Sequence, residues 1–248
     1  MAQKIKVGAV SYLNTKPLIY GFEQGGMKDD IDLVIDYPAN IAGYLQQGKI
    51  DVGLVPVAIL PTLKTYHIIS DYGIACDGAV ASVCLFSEVP VSEIKTIYLD
   101  YQSKTSVALL KILLKEHWKI TPELVEGNNN FVMEIGGTAA GLVIGDRALI
   151  QRQRSKFTYD LGLAWQELTG LPFVFAAWVS NKPLPESFCK AFNETTKNGL
   201  SHIKAIVAAN PFDSFDLEDY YNNFIKFPIN SRMHEALTLF LNKLNKAI

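Results

Sequence analysis

Three hydroxyl side chains, those of Ser103, Thr105 and Ser106, lie where a strand-like segment gives way to an apolar helical segment. Residues 97–100 favour a strand, and residues 107–118 are apolar on most faces of a helix. The first turn of a helix leaves backbone N–H groups unpaired and carries partial positive charge, and nearby hydroxyls add further donors. The pattern predicts an anion site that suits a carboxylate. The open alternative is that these hydroxyls only cap the helix.

A second polar turn, containing Ser11, Tyr12 and Asn14, follows the predicted strand 5–10 and precedes Pro17. Proline is typical of the first position of a helix, so this turn also leads into a helix N-terminus. In open α/β sheets ligands bind outside the carboxyl ends of the strands, where both polar clusters would lie. For Tyr12 and Asn14 the alternative is ordinary turn chemistry and a packed ring.

Asp146 and Arg147 follow a third predicted strand, 141–144. Asp146 is predicted to cap the helix that continues after it, and lining of a ligand cleft is the alternative. Arg147 could pair with a carboxylate ligand or be solvated. The glycine-rich run 136–141 lacks the spacing of a phosphate loop and precedes a strand instead of following one, so it does not predict nucleotide binding.

Composition excludes several other classes of protein. The 248 residues are 49% hydrophobic and 19% charged with a net charge of −2, which suits a well-formed core and gives no basic surface for nucleic acid or an anionic membrane. The four histidines are scattered and the three cysteines are widely spaced, so neither metal site nor disulfide framework is predicted. Neither a signal peptide nor a membrane-spanning segment is recognisable, and a cytoplasmic location is expected.

The order of predicted elements indicates an α/β protein with two lobes. Residues 4–57 favour a βαβαβ unit, a second βαβ pattern follows in the middle of the chain, and the part after residue 180 is helical. We expect one lobe from residues 1–82 and 176–248 and the other from residues 83–175. Two strands, 82–86 and 173–179, are expected to cross between the lobes, with the ligand in the cleft between them.

Seven segments carry a family resemblance over roughly the first 180 residues. They are SYLN (11–14), GKIDVGL (48–54), ASVCLFS (81–87), LDYQSKTS (99–106), IGDRAL (144–149), YDLG (159–162) with Trp165, and TGLPFVFA (169–176) with Trp178. Together and in this order they resemble the chorismate dehydratase family of the futalosine route to menaquinone. The sequence departs from that pattern at Ala58, where a serine is expected, which puts a ligand contact by this loop in doubt.

The resemblance implies a two-lobe, type II periplasmic-binding-protein-like fold that works as a cytoplasmic enzyme without metal or cofactor. Its substrate would be the dicarboxylate chorismate, which loses water to give 3-[(1-carboxyvinyl)oxy]benzoate. Asn14 is the expected catalytic residue, as an orienting group. The expected substrate-binding residues are Ser11, Tyr12, Ser82, Ser103, Thr105, Ser106 and Asp146. The base is open between Asp146 and a carboxylate of the substrate itself, and the oligomeric state is not predicted.

Two alternatives remain at the level of sequence. One is the sister family that releases 1,4-dihydroxy-6-naphthoate later in the same route on a similar fold. A catalytic histidine is expected there, and none of the four histidines here lies in a strong cleft motif. The other is a solute-binding module that closes around a carboxylate ligand without chemistry, and the lack of a recognisable secretion signal argues against it.

Overall fold

The computed structural model describes residues 4–245, which form two mixed β-sheets covered by helices. The strands are β1 (Ile5–Val10), β2 (Ile31–Asp36), β3 (Val52–Pro56), β4 (His67–Cys76), β5 (Val83–Ser87), β6 (Thr96–Leu99), β7 (Glu123–Glu126), β8 (Ala139–Ile144), β9 (Phe157–Asp160), β10 (Phe173–Ser180) and β11 (Lys226–Pro228). The helices are α1 (Lys16–Glu23), α2 (Pro38–Gln46), α3 (Lys104–Leu113), α4 (Asp146–Gln151), α5 (Leu161–Thr169), α6 (Glu186–Leu200), α7 (Ile203–Ala209), α8 (Leu217–Asp219) and α9 (Ser231–Asn245).

The first sheet has the strand order β11-β4-β10-β3-β1-β2 and contains the predicted βαβαβ unit. β1 pairs in parallel with β2 and β3, with Ile5 opposite Ile31 and Val7 opposite Val52. Every residue of β3 is buried, as expected for a strand of a parallel sheet that is covered on both faces. The prediction for residues 4–57 is confirmed. The carboxyl ends of β1 and β3 reach the same edge of this sheet.

The second sheet has the order β7-β6-β8-β5-β9, and β6 and β8 are parallel neighbours within it. Their carboxyl ends carry the two other polar segments, 100–106 and 145–147. α3 starts at Lys104, three residues before the predicted helix, because Ser103 caps it. A π turn, Leu114–Trp118, extends this helix, and Lys111, Lys115 and Lys119 lie exposed along it.

The chain passes between the sheets at residues 77–82 and again after β9, through α5 and residues 170–172. The strands expected to cross between the lobes do not do so themselves. β5 pairs along its length with β8 and β9 in the second sheet, and β10 pairs with β3 and β4 in the first from Phe173 onwards. Each of these buried strands satisfies its backbone N–H and C=O groups within a single sheet. The chain therefore crosses between the sheets in the connections before and after the strands.

The C-terminal helices pack against the first sheet and against α1. α1 and α6 approach closely at two glycines: a Cβ on Gly21 would lie 2.1 Å from the Thr195 carbonyl oxygen, and one on Gly199 would lie 2.4 Å from the Pro17 carbonyl oxygen. The short α8 continues as a π turn, Tyr220–Phe224, which buries Tyr220 and Tyr221. Among residues 4–245, no helix has the length and apolar character needed to span a bilayer.

Candidate active site

A cavity of about 60 Å³ lies between the two sheets at the carboxyl ends of their strands. Its polar lining consists of Asn14, Ser82, Ser103 and Ser106. The remaining lining residues are apolar side chains and one glycine: Pro56, Ile74, Val80, Val83, Ile144, Gly145, Phe175 and Ala176. A mostly apolar chamber with a few convergent polar groups is typical of a small-molecule site.

Ser103 and Ser106 bring the N-terminus of α3 into this cavity. The Ser103 hydroxyl accepts a hydrogen bond of 3.1 Å from the Ser106 backbone N–H and donates one of 2.8 Å to the Ser106 hydroxyl. The capping interpretation of Ser103 is therefore confirmed, and the cap itself faces the cavity. Within residues 4–245 the backbone N–H groups of Lys104 and Thr105 have no acceptor, as expected in the first turn of a helix. Partial positive charge is thus concentrated at this wall of the cavity.

Asn14 and Ser82 line the cavity from the side of the first sheet and from the first crossing segment. Asn14 is buried in a single 3₁₀ turn, Leu13–Thr15, that follows β1. The hydroxyl of Ser82 accepts a hydrogen bond of 2.7 Å from the hydroxyl of Tyr220, which is fully buried. Burial raises the pKa of Tyr220 far above its usual value, with Ser82 and Asn14 opposing the shift, so Tyr220 stays a hydrogen-bond donor. The Ser82 hydroxyl itself donates a long bond of 3.5 Å to the Val80 carbonyl oxygen.

Thr105 and Asp146 make hydrogen bonds between the two sheets instead of lining the cavity. The Thr105 hydroxyl accepts a bond of 3.1 Å from the Ala58 backbone N–H. The Asp146 carboxylate accepts one of 3.1 Å from the Leu13 backbone N–H. The predicted helix cap by Asp146 is wrong, because Gly145 occupies the N-cap position and Asp146 is the first helical residue. Ala58, where the family pattern has a serine, contributes its backbone N–H to this bond and does not line the cavity.

Tyr12 and Arg147 belong to a hydrogen-bonded cluster that connects the two sheets beside the cavity. The Tyr12 hydroxyl donates to the Gln102 side-chain oxygen, which also accepts a bond of 2.9 Å from Arg147. Arg147 donates to both oxygens of the buried Asp100, at 2.9 and 2.8 Å, so its charge is already paired within the protein. Burial raises the pKa of Asp100, and Arg147 opposes that shift.

Gly145 leaves room for the Tyr12 ring in this cluster. Its φ of 63° and ψ of −147° lie in a region open almost only to glycine, and a Cβ there would come within 3.1 Å of the ring. Ser11, by contrast, is exposed outside the cavity, and its backbone N–H donates 3.1 Å to the Asp36 carbonyl. The structure therefore brings four of the eight predicted site residues, Asn14, Ser82, Ser103 and Ser106, to the cavity wall.

Sequence reasoning missed Tyr220, which reaches Ser82 from the C-terminal part of the chain. It also missed Asp160, although an aspartate directly before an apolar helical segment is a recognisable capping signal, and Asp160 does cap α5. Tyr220 has no comparable signal, because its role depends on a contact across 138 residues.

Three larger hollows, of about 600, 650 and 1050 Å³, are open surface grooves. The groove of about 1050 Å³ runs along α3 and α9 from the residues that follow β6, and it adjoins the cavity at Ser103, which lines both. Among residues 4–245, no group of three or more His, Cys, Asp or Glu side chains is arranged to hold a metal ion.

Comparison with known proteins identifies relatives along almost the whole chain. A family model described as menaquinone biosynthesis matches residues 5–246. A protein named chorismate dehydratase from Thermus thermophilus is 29% identical over 224 residues, which are 82% of this chain and 80% of that protein. One of the same name from Campylobacter jejuni is 27% identical over 242 residues, 94% and 95% of the two chains.

Solved structures establish the fold. A protein from Archaeoglobus fulgidus superposes with a TM-score of 0.76 at 17% identity, covering 98% of this chain and 97% of the other. The periplasmic aliphatic sulphonate binding protein of Escherichia coli gives a TM-score of 0.64 at 12% identity, covering 99% and 92%. The two-lobe, periplasmic-binding-protein-like fold expected from the sequence is confirmed.

Proposed function

Because this chain belongs to the menaquinone biosynthesis family, whose model covers residues 5–246, we propose that it acts as a chorismate dehydratase. Both relatives described above carry that name, and they align with most of the chain. The observation that carries the proposal is the cavity between the sheets, which combines apolar walls with the N-terminus of α3 and no charged side chain in its lining.

The reaction removes the proton from C3 of chorismate and the hydroxyl from C4, and the electron pair of the C–H bond completes an aromatic ring. The products are 3-[(1-carboxyvinyl)oxy]benzoate and water. Aromatisation provides the driving force, so the protein has to hold a dianion in place and stabilise the negative charge that spreads into the ring carboxylate. Oriented donors in a water-poor cavity do this efficiently.

We assign the N-terminus of α3 to one substrate carboxylate. The Ser106 hydroxyl, which accepts from Ser103 and keeps its own proton, and the unpaired backbone N–H groups of Lys104 and Thr105 provide donors there, and Ser103 orients Ser106. Asn14 and Ser82, on the other wall, are assigned to the reacting side of the ring. Because burial keeps Tyr220 protonated and bonded to Ser82, the Ser82 proton is held only by a long bond of 3.5 Å to the Val80 carbonyl oxygen, and in this proposal it turns towards the departing C4 hydroxyl.

The base in this proposal is a carboxylate of the substrate. The polar side chains of the lining are one amide and three hydroxyls, and none of these groups accepts a proton usefully near neutral pH. Asp146, the candidate carboxylate of the sequence, is hydrogen bonded to Leu13 outside the cavity lining. Proton removal by the bound substrate needs only correct orientation, which is the role we give to Asn14.

Substrate entry requires the two sheets to separate. A cavity of roughly 150 Å³ holds a single benzene ring, whereas the cavity here measures about 60 Å³. The contacts that would have to open are those of Thr105 with Ala58, Asp146 with Leu13 and Tyr12 with Gln102. We therefore propose that residues on either side of the crossings move as two lobes, that the described state is a closed one, and that the cavity widens while these contacts re-form when the lobes close on a substrate. A cytoplasmic location, as for an enzyme of small-molecule biosynthesis, is part of the same proposal.

Incubation of the purified protein with chorismate, followed by NMR of the ring protons, tests this function. We expect aromatic product signals without added cofactor, and undiminished conversion in the presence of a chelator. Unchanged chorismate together with ligand-induced thermal stabilisation would instead favour a binding protein. Conversion only of a cyclised naphthoate precursor would favour the sister family.

A further inference from the structure

The crossing segment 77–82 contains a strained turn directly before the cavity residue Ser82. Ala81 has a φ of 62°, a conformation that residues other than glycine rarely adopt. The Ser82 backbone N–H donates 2.8 Å to the Val80 carbonyl, which closes a three-residue γ-turn around Ala81. Such a conformation persists only where the surroundings hold it.

One carboxylate, that of Asp160, holds this turn. Its oxygen Oδ2 accepts hydrogen bonds of 2.7 Å from the Ala81 N–H and 3.1 Å from the Val80 N–H. Its oxygen Oδ1 accepts from the Val80 N–H at 3.0 Å, and from the Gly162 and Leu163 N–H groups at 3.0 and 3.2 Å. Asp160 thus caps α5 and anchors the turn at the same time.

The other side of the turn is also fixed. Arg152 donates a bond of 3.3 Å to the Ala81 carbonyl, and the Gly145 N–H donates one of 2.8 Å to the Ser82 carbonyl. The Ser82 side chain, which lines the cavity, is therefore oriented by a backbone that is clamped on both faces. A helix cap alone would need only one oxygen of Asp160.

From this arrangement we infer that Asp160 is a positioning residue for the dehydration: it holds Ala81 in the left-handed conformation and so sets the direction of the Ser82 hydroxyl. The inference rests on the proposed function. Asp160 lies behind the turn and does not line the cavity, so it acts on the substrate only through Ser82.

Asp160→Asn separates the two tasks of this carboxylate. The amide has a single oxygen, which can cap α5 or accept from Ala81 but cannot do both, and asparagine is as good a cap as aspartate. We expect a folded protein whose kcat is lower by about 10-fold or more, as misplacement of a reacting group can cause. Adding Ala81→Gly to the Asp160→Asn variant should restore most of the lost kcat, because glycine adopts a positive φ without strain.

A double-mutant cycle with Ser82→Ala distinguishes positioning from general stability. If Asp160 acts through Ser82, Asp160→Asn should change kcat by less than about twofold in the Ser82→Ala background. Equal losses of kcat in both backgrounds, or an unchanged kcat with a lower melting temperature, would overturn the inference. Asp77→Asn is the matched control. Asp77 lies in the same crossing segment, but its carboxylate accepts a hydrogen bond of 2.7 Å from the Gln166 side chain and none from the turn. The Asp77→Asn variant should therefore keep the wild-type kcat.

Two further measurements keep the outcomes distinct. Amide hydrogen exchange should find the Val80 and Ala81 amides protected in the wild type and the Ala81 amide faster in Asp160→Asn. Unprotected amides in the wild type contradict the inference whatever the activity, whereas a wild type that leaves chorismate unchanged contradicts the proposed function alone. If Asp160→Asn does not fold, Asp160→Ser takes its place, because serine retains a capping oxygen but is too short to hold the turn.

Discussion

The hydroxyl of Tyr220 donates a hydrogen bond of 2.7 Å to the hydroxyl of Ser82, although 138 residues separate the two in the chain. Tyr220 comes from the π turn after α8, and Ser82 from the end of the first crossing segment. The bond therefore connects the C-terminal part of the chain to the cavity. Because the phenol stays protonated, it makes the Ser82 oxygen an acceptor, while the Ser82 hydroxyl donates a long bond of 3.5 Å to the Val80 carbonyl oxygen. We propose that this weakly held proton turns to the substrate.

Tyr220→Phe should retain the buried ring and remove this bond. We expect a loss of about 0.5–1.5 kcal/mol in the free energy of unfolding, the usual value for one hydrogen bond. We also expect kcat to fall by about 10-fold, with a smaller change in KM, because Ser82 loses its fixed orientation. Denaturant unfolding and steady-state kinetics on chorismate test both. A Phe variant with wild-type kcat would show that Ser82 needs no partner. Tyr221→Phe is the matched control, since its hydroxyl donates 2.9 Å to the Leu13 carbonyl and not to Ser82.

Thr105→Val tests whether the Thr105 hydroxyl closes the lobes or binds the substrate. The substitution preserves shape but leaves the Ala58 N–H without its acceptor, which costs about 1–2 kcal/mol where the group stays buried. If the hydroxyl only closes the lobes, the closed state should be less populated, KM should rise and kcat should change little. Thr105→Ser retains the hydroxyl and should keep wild-type KM. A large loss of kcat in the Val variant alone would instead indicate direct contact with the reacting ligand.

The buried Asp146 predicts a specific pH dependence of stability. Burial raises its pKa in the folded protein, although the Leu13 N–H, Lys16 and Arg147 oppose the shift. The folded state therefore binds a proton more tightly than the unfolded state, whose Asp pKa is about 3.9. This tighter proton binding stabilises the folded protein fully below about pH 3.9. The stabilisation is lost as the pH rises through the raised pKa of Asp146 in the folded protein.

Asp146→Asn removes this titration and retains an oxygen for the Leu13 N–H. The melting temperature of the Asn variant minus that of the wild type should therefore increase as pH is raised from about 4 to 7. The other buried carboxylates are present in both proteins and cancel in the difference. A difference that stays constant over this range would contradict the predicted shift.

Several features of the fold and site could be predicted because they depend on local sequence. Strand β1, the polar turn around Asn14 and the cap formed by Ser103 each follow from residues within a few positions of one another. The edge of a parallel sheet then brings separate polar turns together without further information. This is why Asn14, Ser103 and Ser106 were all found.

The remaining features depend on partners that are distant in sequence. The local sequence around Asp146 is typical of a helix cap. Its carboxylate instead accepts a hydrogen bond from the Leu13 N–H, which is 133 residues away in the sequence. Tyr220 lies in a helical segment whose pattern predicts only packing. β4 was not predicted, and it became part of the sheet through antiparallel pairing with β10, which no local pattern encodes.

Asn14 is the residue whose substitution tests the catalytic proposal most directly. It is buried at the cavity wall, in the turn after β1, and its nearest side-chain bond is a weak one of 3.4 Å from the Thr15 hydroxyl. Its amide also interacts with the Tyr220 hydroxyl, whose pKa it lowers, and we propose that its remaining hydrogen-bonding capacity binds the substrate. Asn14→Asp conserves size and adds negative charge beside a dianion, whereas Asn14→Ala removes the hydrogen bonds and leaves space for water.

If Asn14 orients the substrate, both variants should fold, and kcat should fall by roughly 10²-fold or more in each, as loss of alignment can cause. The Asp variant should also raise KM through repulsion, and the Ala variant should raise it less. If Asn14 serves only the turn, the Asp variant should be nearly silent, because aspartate stabilises the same turns. Ser11→Ala, in the same turn but exposed outside the cavity, is the control and should keep wild-type kinetics. Values of kcat, KM and melting temperature measured side by side decide between these roles: an Asp variant with wild-type kinetics would exclude Asn14 from catalysis, because a carboxylate at that position could not leave a bound dianion undisturbed.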